Sequence, residues 1–305
     1  MTGIGTALWT MAAIVATGWV LGRFRLLGDQ APAVLARVTF TVAIPALLVV
    51  TVAGADLHLL LSRVAAVTAL ATTAVAVTAA VALRVVLRRP GGEATVGTLA
   101  ASYLNAAHLG IPVAVYVVGD AVAAVPTLLF QQLVLAPVAF TMLDRATTGR
   151  ARGLSVLGRT FRNPVIVASL VGLALAALPW EPPDVALEPF RVVGAAAAPM
   201  ALVAFGMSLA LRRPPGARLV TPELALVATL RAVVHPALAL GLGLALGLAD
   251  TALLAVVAMA ALPTAQNVLV YALQYGRGQA LARDATLATT LLSAPVLVVV
   301  AALLA

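Results

Sequence analysis

Charged residues are scarce in this sequence, and cysteine and lysine are absent. Of its 305 residues, 10% are charged and 63% are hydrophobic, and the mean hydropathy is +1.09. Soluble domains carry about 25% charged residues. Without cysteine the chain can hold neither a disulfide framework nor a cysteine-based metal or redox site. A water-soluble fold cannot bury this much apolar surface, so the composition excludes a soluble protein.

Long apolar runs recur along the whole chain, each close to the roughly 20 residues that a helix needs to cross a bilayer. Lipid tolerates only backbone whose hydrogen bonds are satisfied internally, so helices are expected. The first run has no basic segment before it, which favours a mature helix over a signal peptide. The sequence predicts an all-α membrane protein with ten spans, at residues 4–22, 33–53, 64–87, 97–118, 121–143, 163–179, 190–211, 221–247, 251–275 and 281–304.

The arginines predict which loops share a side of the membrane. The odd-numbered loops and their flanks hold 16 of the 19 basic residues, whereas the even-numbered loops are net negative. Cytoplasmic loops carry the excess of arginine, so both termini are predicted to lie outside the cytoplasmic membrane. The arginines are spread over short loops rather than gathered in one patch, which argues against a nucleic-acid partner.

The longest basic connection divides the predicted spans into two groups of five. It runs over residues 144–162, between a first repeat at 1–143 and a second repeat at 163–305. Because five is an odd number, the two halves would be inverted. Short similarities, such as AIPALLV around Pro45 and AAPMALV around Pro199, favour a duplication. Inverted repeats with binding at interrupted helices are a recurrent plan of secondary transporters.

Predicted spans 4 and 9 carry polar residues and prolines near the middle of the membrane. Span 4 contains Asn105 and Pro112, and span 9 contains Pro263, Gln266 and Asn267. Proline interrupts a helix, and a helix that restarts at Pro112 or Pro263 would present its positive end and unpaired N–H groups. An anion such as a carboxylate suits such a position. The corresponding breaks therefore predict a binding site at the midplane, although prolines and small polar residues are also ordinary in membrane helices.

Other intramembrane polar residues allow two interpretations each. Arg231 and His235 lie four residues apart on one face of span 8; Arg231 is either a counter-charge for an anion or a donor to carbonyls exposed by the neighbouring break. His108 either packs or carries a proton. Tyr116 and Tyr271 line the pathway or pack, and at most one of Gln131 and its neighbour Gln132 faces it. The interior of the predicted spans contains no acid, which argues against a carboxylate-based ion site.

Five stretches, in order along nearly the whole chain, resemble the auxin efflux carrier (AEC) family, whose bacterial members include malate and malonate carriers. They are TFTVAIPALLV, the NxxxLGIP pattern of span 4, RNPVIVASLVG, AFGMSLAL and ALPTAQNVLVYALQYG. The resemblance implies ten helices in two inverted repeats, with the first two helices of each half as a scaffold and the other three as a transport domain. It also implies crossing, interrupted helices in spans 4 and 9 and elevator-like motion. Asn105, Pro112 and Pro263 match the family's crossover positions, and the long cytoplasmic loop of plant members is missing.

We therefore expect a secondary transporter that exports a small organic anion, with Asn105, Gln266 and Asn267 as ligands. A negative-inside potential would drive such export without a coupling ion. A sodium- or proton-coupled importer of the same fold is the main alternative. An intramembrane enzyme lacks motif support, and a receptor lacks an output domain. No cofactor or metal is expected, and the oligomeric state, a homodimer included, is left open.

Overall fold

The computed structural model describes residues 2–28, 30–54, 62–148, 163–178, 183–210 and 220–304. Within these ranges the backbone is helical apart from turns, short connections and an isolated β-bridge, so the predicted all-α class is confirmed. The helices are α1 Thr2–Arg23, α2 Ala31–Ala53, α3 Arg63–Val86, α4 Gly91–Ser102, α5 at 106–118, α6 Val122–Thr147, α7 Pro164–Ala177, α8 Asp184–Ala210, α9 Pro222–Ala245, α10 Asp250–Ala260, α11 Asn267–Tyr275 and α12 Gln279–Leu304.

Six of the described helices, α2, α3, α6, α8, α9 and α12, are long and apolar enough to cross a membrane. The apolar parts of α1 and α7 are shorter, and predicted spans 4 and 9 each consist of two short helices. Predicted span 7 was placed too late, because α8 begins at Asp184 rather than near residue 190. Its first turns carry Arg191, which forms ion pairs with both Asp184 and Glu188, and these charges lower the local hydropathy.

Side-chain caps fix the starts of three helices. The Ser62 hydroxyl accepts from the amide of Ala65 at the start of α3 at 3.1 Å. Thr221 and Asn163 cap α9 and α7 in the same way. Such caps satisfy amides that have no partner within the helix. Several spans also contain a π-helical turn, an insertion that widens the helix and is frequent at functional sites; these turns are 39–43, 82–86, 106–110, 114–118, 131–135 and 230–234.

Glycines bring α1, α2, α7 and α8 into one helix group, here called the small-residue group. A Cβ added at Gly206 of α8 would lie 2.1 Å from the carbonyl oxygen of Val15 in α1. At Gly172 of α7 it would lie 2.8 Å from the Cβ of Val52 in α2. Small residues allow helices to approach this closely in a membrane, where lipid supplies no hydrophobic drive for association. As a result α1 pairs with α8, and α2 pairs with α7.

The remaining helices pack as a second group, and contacts among its connections agree with the predicted sides of the loops. Arg89, after α3, pairs with Glu223 at the start of α9. Gly92, at the start of α4, lies against the side chain of Arg277, which follows α11. These residues belong to odd-numbered connections. Gly247, in an even-numbered connection, lies near Arg63 at the start of α3.

An aromatic cluster joins the two groups. Phe40 of α2 lies edge-on to Phe140 of α6 at 5.4 Å and to Tyr271 of α11 at 5.9 Å between ring centroids. Tyr271 is also edge-on to Phe140, at 4.8 Å, and to Tyr103, at 6.0 Å. Edge-to-face geometry at these distances is attractive in addition to the burial of the rings. The cluster lies beside the interruption of predicted span 4, because Tyr103 is the first residue after α4.

Candidate functional site

The first interruption lies between α4 and α5. Tyr103 is extended, with φ −88° and ψ 106°, and helical backbone resumes at Ala106. The prediction that the helix restarts at Pro112 is wrong, because Pro112 lies inside α5, at the start of the segment Ile111–Val113 between two π-helical turns. Proline is tolerated there, since it occupies a first-turn position of that segment and the flanking π-helical turns change which amides pair.

The second interruption lies between α10 and α11. The helix ends at Ala260, and Pro263 stands within the connection. The new helix starts at Asn267, four residues after the proline where the sequence placed the restart. The amides of Val268 and Leu269 bond to the carbonyls of Ala265 and Gln266, so this start provides a positive helix end with fewer unpaired N–H groups than predicted.

The two interruptions pair with each other through their backbones. The Asn105 amide donates to the Pro263 carbonyl at 2.9 Å, and the Ala265 amide donates to the Tyr103 carbonyl at 3.0 Å. Leu104 and Thr264 thereby form an antiparallel β-bridge. Backbone released from a helix inside a membrane needs partners, and here each interruption supplies them for the other. This pairing holds Leu104 and Thr264, which are 160 positions apart, in direct contact.

The paired interruptions, residues 103–105 and 263–265, are here called the crossing. Polar side chains from neighbouring helices hold the crossing in place. Gln131 of α6 accepts from the Leu104 amide, and Gln132 accepts from the Tyr103 hydroxyl at 3.1 Å. Both glutamines therefore contact the first interruption, although their adjacent positions suggested that at most one would face the pathway. Gln132 reaches it because the long tyrosine side chain extends toward α6. On the other strand of the bridge, the Thr264 amide donates to the Thr289 hydroxyl of α12 at 3.0 Å.

Carboxamides surround the crossing. Asn105 is 1% exposed and occupies the position before α5. Gln266 is 3% exposed, and its Oε1 has no hydrogen-bond partner among the described residues. Asn267, at the start of α11, is half-buried. An amide group both donates and accepts, and burying it without a partner is costly, so a polar ligand would stabilise this site.

Tyr271 is fully buried in the aromatic cluster, which shows that it packs. Its hydroxyl lies near Tyr103 and Asn267. The side chains of His108, Pro112 and Tyr116 lie outside what the structure describes, so their predicted roles stay predictions.

Arg231 and His235 form a second polar cluster, on α9. Arg231 is 1% exposed, and its Nη1 donates to Nδ1 of His235 at 3.0 Å. Because a guanidinium can only donate, Nδ1 of His235 is the acceptor, which assigns the ring proton to Nε2, 3.3 Å from the Thr72 hydroxyl of α3. Nε and Nη2 of Arg231 have no partner among the described residues, and no described carbonyl is bonded to them. The described residues therefore provide none of the hydrogen bonds to carbonyls that a structural role of Arg231 beside the broken helix would require.

A small cavity connects this cluster to the crossing. It has a volume of about 10 Å³, enough for roughly one water molecule, and its lining includes His235 and Thr72 together with Leu104 and Ala260. The structure thus brings together Asn105, Pro263 and Gln131 at the crossing and places His235 beside it.

Sequence reasoning missed Thr72 and Thr289. Threonines are frequent in these spans, and most hydroxyls bond to the carbonyl four residues earlier, as Thr289 does to Ala285 at 2.7 Å. Their additional bonds to His235 and Thr264 are made between helices, so no local pattern indicates them. Among the described residues no group of three His, Asp or Glu side chains could hold a metal ion.

Comparisons with known proteins identify the family of this chain. The profile of the membrane transport protein family matches residues 4–301. A relative from Rhizobium meliloti (strain 1021), named "putative malonate transporter", is 34% identical over 218 residues, which cover 68% of this chain and 66% of the relative. The match thus spans just under two thirds of that protein's length. Because the profile covers nearly the whole chain, the resemblance to auxin efflux carriers is confirmed, and the chain belongs to the membrane transport protein family.

Proposed function

We propose that this protein is a secondary transporter that carries a small organic anion, a carboxylate, out across the cytoplasmic membrane. The observation that carries the proposal is the backbone pairing of Tyr103–Asn105 with Pro263–Ala265 between four half-length helices. Interrupted helices that meet in the interior of a membrane protein are typical of transporter binding sites. The name of the Rhizobium relative supports a dicarboxylate such as malonate as the first substrate to test.

The groups at the crossing suit a carboxylate. The starts of α5 and α11 direct positive helix ends toward the crossing, and Gln266 and Asn267 offer amide hydrogens at the second of them. Asn105 lies at the start of the other helix. Arg231, one helical turn from His235, supplies a positive charge without a carboxylate partner among the described ion pairs. A buried cation of this kind favours an anionic over a neutral substrate.

We further propose that the helices form ten spans in two inverted repeats, 1–143 and 163–305, joined by the cytoplasmic linker 144–162. The packing supports this arrangement, because α1 pairs with α8 and α2 with α7. In terms of predicted spans, the first pairs with the seventh and the second with the sixth. A two-fold axis that exchanges the two halves would relate the small-residue group to itself in this way.

The same packing supports an elevator mechanism. The small-residue group would be the scaffold, and the second group, which contains the crossing, would move against it. The aromatic contacts between them, such as Phe40 with Tyr271, are apolar, while Asn163 donates to the Tyr275 hydroxyl at 3.2 Å and Arg283 donates to the Ser208 carbonyl at 3.5 Å. Apolar rings can slide past one another without exposing unsatisfied polar groups, which suits a moving interface.

Transport by reconstituted protein tests the proposal. Liposomes containing the purified protein should release labelled malonate, and release should accelerate when a potassium–valinomycin potential makes the interior negative, because the substrate carries net negative charge. Gln266→Ala and Asn267→Ala should each raise the substrate concentration for half-maximal rate by about 10- to 150-fold, the equivalent of roughly 1.5–3 kcal/mol for a hydrogen bond to a charged group. Gln274→Ala is the matched control, since it removes the same group from the same helix, α11, away from the crossing.

Two results would contradict the proposal. Wild-type kinetics in both Gln266→Ala and Asn267→Ala would remove the crossing from the binding site. Transport that stops when a sodium or proton gradient is collapsed, and that ignores the membrane potential, would support the coupled importer instead.

A further inference from the structure

A groove on the outer surface of the second helix group is separate from the crossing. It lies between α3, α4 and α6 and has a volume of about 480 Å³. Its wall is mostly apolar and includes Val77, Leu99, Val134, Val138 and Met142. Several of these side chains are open to the surroundings, with Val77 56%, Val138 49% and Met142 51% exposed. In a membrane protein, an apolar groove with exposed walls on an outer surface faces lipid chains.

Two arginines stand at one end of this groove. Arg84 of α3 and Arg145 of α6 both line it, and both are exposed. Nη1 of Arg84 donates to the Arg89 carbonyl at 2.8 Å, which fixes the guanidinium while leaving other donors available. Neither arginine forms an ion pair with a described residue, and the described lining contains no acid. The groove thus has an apolar body and a positive end.

The length of the groove matches one leaflet of a bilayer. From Thr73 to Arg84 the lining follows α3 over 11 residues, or about 16 Å at roughly 1.5 Å per residue. Half of the roughly 30 Å hydrocarbon core is about 15 Å. An acyl chain that follows the groove from the positive end would therefore end near the midplane.

We propose that this groove binds an anionic phospholipid, with an acyl chain along α3 and α6 and the phosphate between Arg84 and Arg145. The shape accounts for the chain, and the two guanidinium groups, which have no ion-pair partner among the described residues, account for the negative headgroup, since arginine binds phosphate with several donors in a fixed plane. Basic pockets between membrane helices recognise anionic headgroups in this manner. The lipid would contact α4 through Thr95 and Leu99, directly before the first interruption, and would stabilise the helix that positions the crossing.

Thermal unfolding of delipidated protein in detergent tests this site. Phosphatidylglycerol should raise the melting temperature in a saturable manner because it binds the folded state, whereas phosphatidylcholine with the same chains should raise it much less. Glycerol 3-phosphate, which offers the phosphate without the chain, should have no effect at the same concentration. The double variant Arg84→Gln/Arg145→Gln should weaken the phosphatidylglycerol effect at least tenfold in apparent affinity.

Two further variants separate the groove from general surface charge. Arg23→Gln/Arg37→Gln removes the same charge from two exposed arginines outside the groove and should leave lipid binding unchanged. Val138→Trp keeps both arginines but fills the groove at an exposed position, and it should abolish the lipid effect. The proposal is overturned if the control pair weakens binding as much as the Arg84/Arg145 pair, or if phosphatidylcholine stabilises the protein as strongly as phosphatidylglycerol.

Discussion

Arg231 is a buried charge whose surroundings distinguish two roles. Its side chain is 1% exposed and bonds through Nη1 to His235, while Nε and Nη2 lack partners in the described part of the chain. A cation buried without a carboxylate costs several kcal/mol. A purely structural arginine would offset that cost with carbonyl bonds, which the described residues do not provide. The geometry therefore favours the counter-charge for a substrate anion.

Replacing Arg231 by glutamine should accordingly weaken binding more than folding. We expect Arg231→Gln to lower malonate affinity by about 10- to 150-fold, equivalent to roughly 1.5–3 kcal/mol. The melting temperature without substrate should stay the same or rise, because the variant no longer buries an unpaired charge. Malonate binding by calorimetry and melting temperature without ligand measure the two effects separately.

The matched controls for this change are an arginine elsewhere and the partner of His235. Arg63→Gln removes an exposed arginine and should change neither quantity. Thr72→Val removes only the bond to His235 and should weaken malonate binding less than Arg231→Gln does. A lowered melting temperature with unchanged affinity in Arg231→Gln would show that the arginine is structural.

At the scale of helices, hydropathy predicted the positions of the spans more accurately than the prolines predicted the positions of the interruptions. The predicted span 64–87 agrees with Arg63–Val86, and 281–304 agrees with Gln279–Leu304, because about 20 apolar residues are a strong local signal. The first break was placed near Pro112, whereas the backbone leaves the helix at Tyr103. Its position depends on acceptors that lie far away in sequence, namely Gln131 and the bridge to Thr264.

The candidate site shows the same division. Asn105, Gln266 and Asn267 could be identified as polar residues at matching depths in two spans, and that information is local. Their mutual arrangement, and the bond from His235 to Thr72, result from packing between α3, α9 and the interrupted helices. Such contacts leave no periodic pattern in one sequence, so sequence reasoning could name candidate residues but not the network that holds them.

Close packing between α1 and α8 gives a prediction about helices. Gly206→Ala would place a methyl group 2.1 Å from the Val15 carbonyl oxygen, which is rigid backbone. The helices would have to separate, and we expect a loss of about 1–3 kcal/mol in stability, the usual cost of overpacking. The melting temperature in detergent, with elution volume as a check on folding, measures this.

Gly241→Ala is the matched control, because nothing lies within 4 Å of a Cβ added there. Alanine favours a helix over glycine by up to about 1 kcal/mol, so this variant should be neutral or slightly more stable. Equal destabilisation by both changes would mean that glycine flexibility, and not the contact between α1 and α8, is what matters.

At the scale of the whole molecule, the side of the membrane on which each loop lies depends on the number of helices that span the membrane before it. Arg89 with Glu223, and Gly92 with Arg277, join connections that the arginine distribution assigns to one side. The helix that decides the arrangement is α7, because it is the single predicted span between the linker 144–162 and Asp184. It has 14 residues and is about 21 Å long at roughly 1.5 Å per residue, shorter than the roughly 30 Å hydrocarbon core.

Cysteine labelling tests whether α7 spans the membrane and in which direction. The absence of native cysteine means that only the introduced cysteine can react. Thr147→Cys lies at an exposed position at the end of α6, and Asp184→Cys lies at the start of α8, where the native side chain is 87% exposed. In intact cells an impermeant maleimide should label Asp184→Cys but not Thr147→Cys, and in lysed cells it should label both.

Labelling of Thr147→Cys alone in intact cells would mean that the topology is the inverse of the predicted one. Labelling of both in intact cells would mean that α7 does not cross, and the two halves could then not be inverted repeats of five spans each. The predicted result requires the membrane to accommodate a short α7, which packing against α2 makes feasible because the protein covers one side of the helix.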